Sequence, residues 1–285
     1  MEIKSLAGTS FDTIFEAFSR AFADYELQQD KEQLRSMLKR RGFNASLSFA
    51  AFEGEDIVAF TFNGIGSFKG IPMAYDTGTG TLKEFRGKGL ATQIFEHSLP
   101  YLKEEGIKQY LLEVLQHNTK AVSVYRNLGF EVVREFYYSM QDNDKVVNEL
   151  KAPDIPYEIR FIDAKEFHVV TEEFWDFYPS WQNSVESINR AAGDFISLGI
   201  FTAEQLIGYC VFAPASGDIT QIAVHRKYRR KGFGSLLLRR MSELNKYGSV
   251  KVINTDVNCE SIIAFLEAKG ITACGKQFEM IKQIV

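Results

Sequence analysis

Two stretches of this chain share one design: Thr81-Leu82-Lys83-Glu84-Phe85-Arg86-Gly87-Lys88-Gly89-Leu90-Ala91 and Val224-His225-Arg226-Lys227-Tyr228-Arg229-Arg230-Lys231-Gly232-Phe233-Gly234. In each, a strand-like run is followed by an aromatic residue and a basic glycine turn, and the turn opens an amphipathic helix. A repeat of this kind constrains the architecture more than composition does, because what one half builds the other half builds again. The physics of such a turn is anion binding. The first backbone N–H groups of a helix lack partners and carry the positive end of the helix dipole. Glycine lets that backbone approach a phosphate closely, and Arg86, Lys88, Arg229, Arg230 and Lys231 add positive charge. One such turn reads equally well as a solvated basic loop; two at matching places in a repeat do not. The sequence contains no GxxxxGK[ST] phosphate loop. It also lacks a GxGxxG early in a βαβ unit followed about 20 positions later by an acidic residue, the dinucleotide pattern.

The elements around the turns repeat as well. In the first half a strand over Glu2–Leu6 precedes helical spacing in Phe11, Ile14, Phe15, Phe18 and Phe22, with Thr9 or Ser10 as N-cap, and a second amphipathic segment over Lys31–Leu38. Strands follow at Ser46–Glu53, Asp56–Asn63 and Ile71–Leu82, then a helix from Lys88, a strand over Gln109–Leu115, a helix over Thr119–Leu128 and terminal strands from near Phe130. The second half runs through strands at Phe195–Thr202, Gln205–Ala213 and Asp218–Val224, a helix from Lys231, a strand over Lys251–Thr255 and a helix over Glu260–Ala268. Between the halves Gln141–Pro156 is polar and carries Pro153 and Pro156, which reads as the connection. The expected domains are therefore residues 1–142 and 157–285, with a linker at 143–156. The order is mixed α/β without strict alternation, which disfavours a doubly wound nucleotide fold.

At the residue level the turns resemble the GNAT superfamily (general-control-type N-acetyltransferases), whose hallmark is Arg/Gln-x-x-Gly-x-Gly/Ala at the start of the central helix. Arg86-Gly87-Lys88-Gly89-Leu90-Ala91 and Arg229-Arg230-Lys231-Gly232-Phe233-Gly234 both fit it. Asn118-Thr119-Lys120-Ala121 through Tyr125 to Gly129-Phe130 is similar to the family's Asn-x-x-Ala…Tyr…Gly-Phe segment, and Asn258 through Phe265 to Gly270-Ile271 aligns with it. The resemblance implies two tandem acyl-CoA N-acyltransferase domains, each a mixed, mostly antiparallel sheet flanked by helices. It implies acetyl-CoA as the donor, with its pyrophosphate on the N–H groups of residues 88–91 and 231–235, Ser235 included. Pantetheine would pair with the end of the preceding strand near Leu82 or Val224, and Asn118 and Asn258 would help fix the cofactor.

Acetyl transfer to an amine needs a neutral amine, an oxyanion stabiliser and a proton for the leaving thiolate. A lysine-like amine has a pKa of about 10.4, so a base or an ordered water should accept its proton. The resemblance makes Tyr125 the acid for the thiolate, a phenol being a protonated donor at neutral pH; packing beneath the strands is the other reading. Glu113 is the candidate base, or else a surface strand carboxylate, and Asp76 is a weaker candidate on the strand before the turn. Asp24 and Tyr25, at the end of the first helix, lie where family members line the acceptor pocket. In the second copy Phe265 stands where the first has Tyr125 and donates no proton. The stretch Trp175-Asp176-Phe177-Tyr178-Pro179-Ser180-Trp181 reads as an acceptor pocket or as packing.

The formal net charge of −4 on 285 residues argues against nucleic-acid binding, which needs a basic face. No apolar run approaches the ~20 residues of a membrane span, and no signal peptide is evident. Cys210, Cys259 and Cys274 are odd in number, lack CxxC spacing and read as buried thiols of a reducing, cytoplasmic compartment. His97, His117, His168 and His225 show no metal-ligand spacing. The expected activity is acetyl transfer to a primary amine of a small molecule or peptide. A non-catalytic acyl-CoA sensor or scaffold, and transfer of a longer acyl group, are the competing readings; oligomeric state is left open.

Overall fold

The computed structural model describes residues 1–24, 28–149, 153–163 and 171–284, with only the backbone of Thr171 and Glu172. The chain divides into two compact units, Met1–Val133 with Phe278–Val285, and Arg134–Gln277.

The first unit contains β1 (Glu2–Ser5), α1 (Phe11–Ala21), α2 (Lys31–Arg41), β2 (Phe49–Glu53), β3 (Asp56–Phe68), β4 (Ile71–Thr81), α3 (Leu90–Glu104), β5 (Gln109–Leu115) and α4 (Thr119–Asn127). The helices begin where their sequences provide caps. The Ser10 side chain accepts from Thr13 N, and Asp30 with Gln33 forms a reciprocal capping box. Strands β3 and β4 form a long hairpin across Lys69-Gly70, both at positive φ (54° and 75°), the two-residue turn whose twist suits paired strands. On one face, Ile14 and Phe18 of α1 and Leu34 and Leu38 of α2 pack with Phe60 and Phe62 of β3. On the other, Phe95 of α3 and Val122 of α4 join Tyr110, Leu112 and Val114 of β5. Full burial of each such aliphatic or aromatic side chain contributes about 1.5–3 kcal/mol.

The second unit follows the same plan with shorter early helices. After β6 (Glu131–Asp142) come β7 (Glu158–Phe161), α5 (Val185–Arg190), β8 (Ile196–Thr202), β9 (Gln205–Ala213), β10 (Asp218–Val224), α6 (Phe233–Leu244), β11 (Ser249–Asp256), α7 (Glu260–Ala268) and β12 (Ala273–Gln283). Its strand order is β6-β11-β10-β9-β8-β7, all antiparallel pairs except β10–β11. In the first unit β1-β2-β3-β4 are antiparallel neighbours and β4–β5 is parallel. The mixed, mostly antiparallel α/β class read from the sequence is therefore what each unit adopts.

The structure departs from the expected layout in three places. The compact units do not divide at 143–156. The strand after α4 lies beside β11 in the second unit, with Val250 opposite Gln141, while the end of β12 lies beside β5 in the first, where Ile284 N donates to Lys108 O at 2.8 Å. Because both copies offer the same open strand edge, local pattern does not choose between them. Secondly, α3 and α6 begin at Leu90 and Phe233 rather than at Lys88 and Lys231, because Gly89 and Gly232 take the left-handed cap at φ 73° and 92°. Thirdly, Cys274 is exposed; only Cys210 and Cys259 are buried.

Candidate active site

In the first unit β4 and β5 pair at Met73–Gln109, Ala74–Tyr110 and Tyr75–Leu111. Their pairing ends there, although β4 runs on to Thr81 and β5 to Leu115. The strands therefore part, and the β4 backbone beyond Tyr75 turns an edge without a strand partner toward the gap. A bulge at Thr77, where Phe62 pairs with Gly78 and Asn63 with Asp76, adds twist at this point.

Asp76 is the first β4 residue past the last pair. Gly78 N donates to its Oδ1 at 2.9 Å, Thr79 Oγ1 to its Oδ2 at 2.8 Å, and the Tyr125 hydroxyl of α4 to Oδ2 at 3.0 Å. Burial raises the pKa of Asp76 above the usual carboxylate value, partly offset by the hydrogen bonds from Thr79, Tyr125 and Gly78. Successive strand residues face opposite ways, so Tyr75 looks to the other face of the sheet. Its hydroxyl donates to Glu113 Oε2 at 3.1 Å, and the Arg41 guanidinium of α2 lies 5.9 Å from the Tyr75 ring. Burial and then the Glu113 charge push the Tyr75 phenol well above its ordinary pKa. The carboxylates of Asp76 and Glu113 thus flank the gap from opposite faces.

Past β4, a single 3-10 turn at Lys83–Phe85 leads to Gly87 and Gly89, both left-handed (φ 77° and 73°), and then to α3. No side chain caps this helix, so its first amides are open to an anion. Lys88 Nζ stands 4.5 Å from the Phe85 ring. The second unit repeats the geometry. Strands β10 and β11 pair only at Asp218–Lys251 before parting, Thr220 is bulged, and uncapped α6 follows Arg230 and Gly232, both at positive φ.

The conserved geometry also shows what the leading arginine of each turn does. Arg86 donates through Nε to Thr81 O (3.1 Å), through Nη2 to Ala21 O (2.9 Å) and through Nη1 to Asp24 Oδ2 (3.1 Å). Arg229 donates through Nε to Val224 O (2.8 Å), through Nη2 to Phe174 O (3.1 Å) and through Nη1 to Asp176 Oδ2 (2.7 Å). Both forks tie the strand end to the preceding helical segment and point away from the turn amides. The expected direct phosphate contact thus fits Lys88, Arg230 and Lys231 better. Asp24, expected in the acceptor pocket, accepts from the Arg86 fork. Tyr25 lies outside the described residues. Burial acts to raise the Asp176 pKa, but hydrogen bonds from Ser261 and Arg229 and the charges of Arg229 and Arg226 hold it below the ordinary range. Asn118 caps α4 by accepting from Ala121 N at 3.3 Å, whereas Asn258 bonds to Asp256 through its backbone N and Nδ2.

The Asp76–Tyr125 and Tyr75–Glu113 pairs are what sequence reading missed. The spacing of Asp76 before the turn and of Tyr125 after Asn118 carried a signal, but nothing local said that they meet.

A family model described as "Acetyltransferase (GNAT) family" matches residues 11–130, and one described as "Acetyltransferase (GNAT) domain" matches residues 197–270. The chain belongs to the GNAT acetyltransferase family. Among its GNAT relatives, the chain is 28% identical over 97 residues to "Uncharacterized N-acetyltransferase YobR" of Bacillus subtilis (strain 168), covering 33% of this chain and 36% of that protein. It is 29% identical over 135 residues to a mycothiol acetyltransferase of Saccharomonospora viridis, covering 44% of each. The chain therefore spans less than half the length of these curated relatives. Among solved structures, a tandem GNAT protein from the clavulanic acid biosynthesis pathway superposes with a TM-score of 0.74 at 15% identity, over 100% of this chain and 98% of that one. That likeness bears on the fold, and it supports a tandem GNAT arrangement.

Proposed function

We propose that the chain is an acetyl-CoA-dependent N-acetyltransferase whose transfer site is the gap between β4 and β5, with a primary amine of a small molecule or peptide as acceptor. The observation that carries this is the Tyr125–Asp76 hydrogen bond at the point where the strands part, next to an uncapped glycine turn. The residues present suit the donor. The α3 amides and Lys88 suit a diphosphate, and the open β4 edge suits an amide-bearing chain. When bound, acetyl-CoA supplies the acetyl thioester.

The roles of the side chains follow from their faces. Backbone N–H groups of β4 beyond Tyr75 are available to an oxyanion in the gap. Glu113, on the α2 face, accepts the amine proton directly or through water. Tyr125, on the α4 face, donates its proton to the departing thiolate sulfur, and Asp76, which accepts the Tyr125 hydrogen bond, orients the phenol. The N–C bond forms as the C–S bond breaks. One proton leaves the amine and one reaches the sulfur, so charge balances once Glu113 hands its proton back to the Tyr125 oxygen through solvent.

We place the protein in the cytoplasm, where free cysteines such as Cys210, Cys259 and Cys274 stay reduced. Among the described residues no helix is long and apolar enough to cross a membrane. The test of the function is thiol release from acetyl-CoA across a panel of amines. Release dependent on an amine supports transfer, and tight binding without release for any amine contradicts it.

A further inference from the structure

Aligned on their glycine turns, the two units place Ile219 of the second where the first has Asp76; the bulged residues Thr77 and Thr220 correspond in the same frame. Aligned on Asn118 and Asn258, Ile253 stands for Glu113 and Phe265 for Tyr125. All three positions that carry proton-transferring groups in the first unit are therefore hydrocarbon in the second. Ile219 and Ile253 come from the two parting strands, β10 and β11, and Phe265 from α7.

Ile219, Ile253 and Phe265 line a single cavity of about 850 Å³ within the second unit. Val252, Ile262 and Ala264 line it too, as do Arg230, Gly232 and the first residues of α6. Of the polar side chains that also border it, Trp175, Tyr209, Gln221 and Asn183 are linked in one chain of hydrogen bonds. Trp175 Nε1 donates to Tyr209 Oη at 2.6 Å, Tyr209 donates to Gln221 Oε1 at 2.8 Å, Gln221 Nε2 donates to Asn183 O at 2.6 Å, and Asn183 Nδ2 donates to Ile253 O at 2.9 Å. This chain of bonds uses hydrogen-bonding groups that would otherwise serve a polar acceptor. The uncapped start of α6 with Arg230, and the hydrocarbon of Ile219, Ile253 and Phe265, thus border one and the same cavity.

We propose that the second unit is a binding site for a coenzyme A thioester bearing an apolar acyl chain longer than acetyl, which it holds without transferring. The assignment rests on the reading of the glycine turns given above. The diphosphate meets the α6 amides with Arg230 and Lys231, the pantetheine follows the parted β10 edge, and the chain lies against Ile219, Ile253 and Phe265. No described side chain at those three positions takes a proton from an amine or gives one to a thiolate, so the thioester stays intact.

The test uses the full chain in a Tyr125→Phe background, which slows transfer in the first unit, with no amine added, titrated by calorimetry with octanoyl-CoA and with acetyl-CoA. Octanoyl-CoA is expected to bind about tenfold or more tightly than acetyl-CoA, because each buried methylene favours it. Arg230→Glu combined with Lys231→Glu is expected to remove that tight site, and Ala264→Trp, at an exposed helix position the fold tolerates, to weaken it about tenfold by filling the cavity mouth. No thiol is released from octanoyl-CoA. Equal affinity for the two thioesters, tight octanoyl-CoA binding that ignores both second-unit changes, or thiol release in this background overturns the proposal. Failure of the wild-type protein to release thiol from acetyl-CoA with any amine sinks the transfer reading instead, and leaves the octanoyl-CoA result to stand or fall by itself.

Discussion

The Tyr125 hydroxyl donates to Oδ2 of Asp76 at 3.0 Å, joining α4 to β4 at the residue where β4 parts from β5. In the second unit the same two positions hold Phe265 and Ile219. The pair is present whole or replaced whole, which is how interacting residues behave. Removing one member of the pair takes from the other a hydrogen bond that contributes about 0.5–1.5 kcal/mol.

The pH dependence of stability follows from Asp76. Its folded-state pKa lies above the unfolded value, mainly through burial. Between those two values the native state holds a proton that the unfolded chain has released, so stability falls as pH rises through that interval. The Asp76→Asn variant lacks this penalty. Relative to wild type it gains stability as pH rises above about 4, as urea denaturation at several pH values will show. A wild-type-minus-variant difference that stays constant with pH contradicts the assignment.

The arginine forks make a graded prediction. Lysine cannot reproduce three donors aimed at two carbonyls and a carboxylate. The Arg229 side chain is 28% exposed and the Arg86 side chain 41%. Arg229→Lys is therefore expected to cost about 1–2 kcal/mol and Arg86→Lys about 1 kcal/mol or less, since solvent screens the more exposed fork. Chemical denaturation measures both. Neutral substitutions, or the reverse order, count against a structural role for these residues.

Gly234 reports on Phe265. A Cβ added at Gly234 comes within 3.2 Å of the Phe265 ring, whereas the first unit carries Ala91 at the corresponding place. Alanine in a helix is favoured over glycine by up to about 1 kcal/mol. The gain from Gly234→Ala is expected to be largely cancelled in the wild-type protein and to appear in full once Phe265→Leu makes room. A double-mutant cycle by denaturation tests this. The same effect in both backgrounds means that ring and helix are not coupled.

Much of this was readable in the sequence. Turn residues Gly87, Gly89 and Gly232 act locally through their φ angles, and the apolar spacing of Ile14 and Phe18 shows in periodicity. What was hidden was non-local. Val250 pairs with Gln141 although Gln141 was expected to open a linker, because two similar units compete for each closing strand. Arg86 looks like a phosphate ligand in one dimension, but its fork finds Ala21 O and Asp24 in three. That Tyr125 meets Asp76, and that Glu113 turns to the opposite face, depends on where β4 and β5 part, which no local pattern encodes.

Everything proposed for the first unit converges on one phenol. Turnover of acetyl-CoA with the best amine acceptor should be measured for wild type and Tyr125→Phe, with acetyl-CoA affinity determined by calorimetry on the same samples. Loss of a general acid lowers kcat by about 100-fold or more, while the dissociation constant for acetyl-CoA stays within about threefold, because the phenol's proposed role is in the transfer step and not in holding the diphosphate. Unchanged kcat in the Tyr125→Phe variant contradicts the account, since it leaves the Tyr125–Asp76 bond as packing alone.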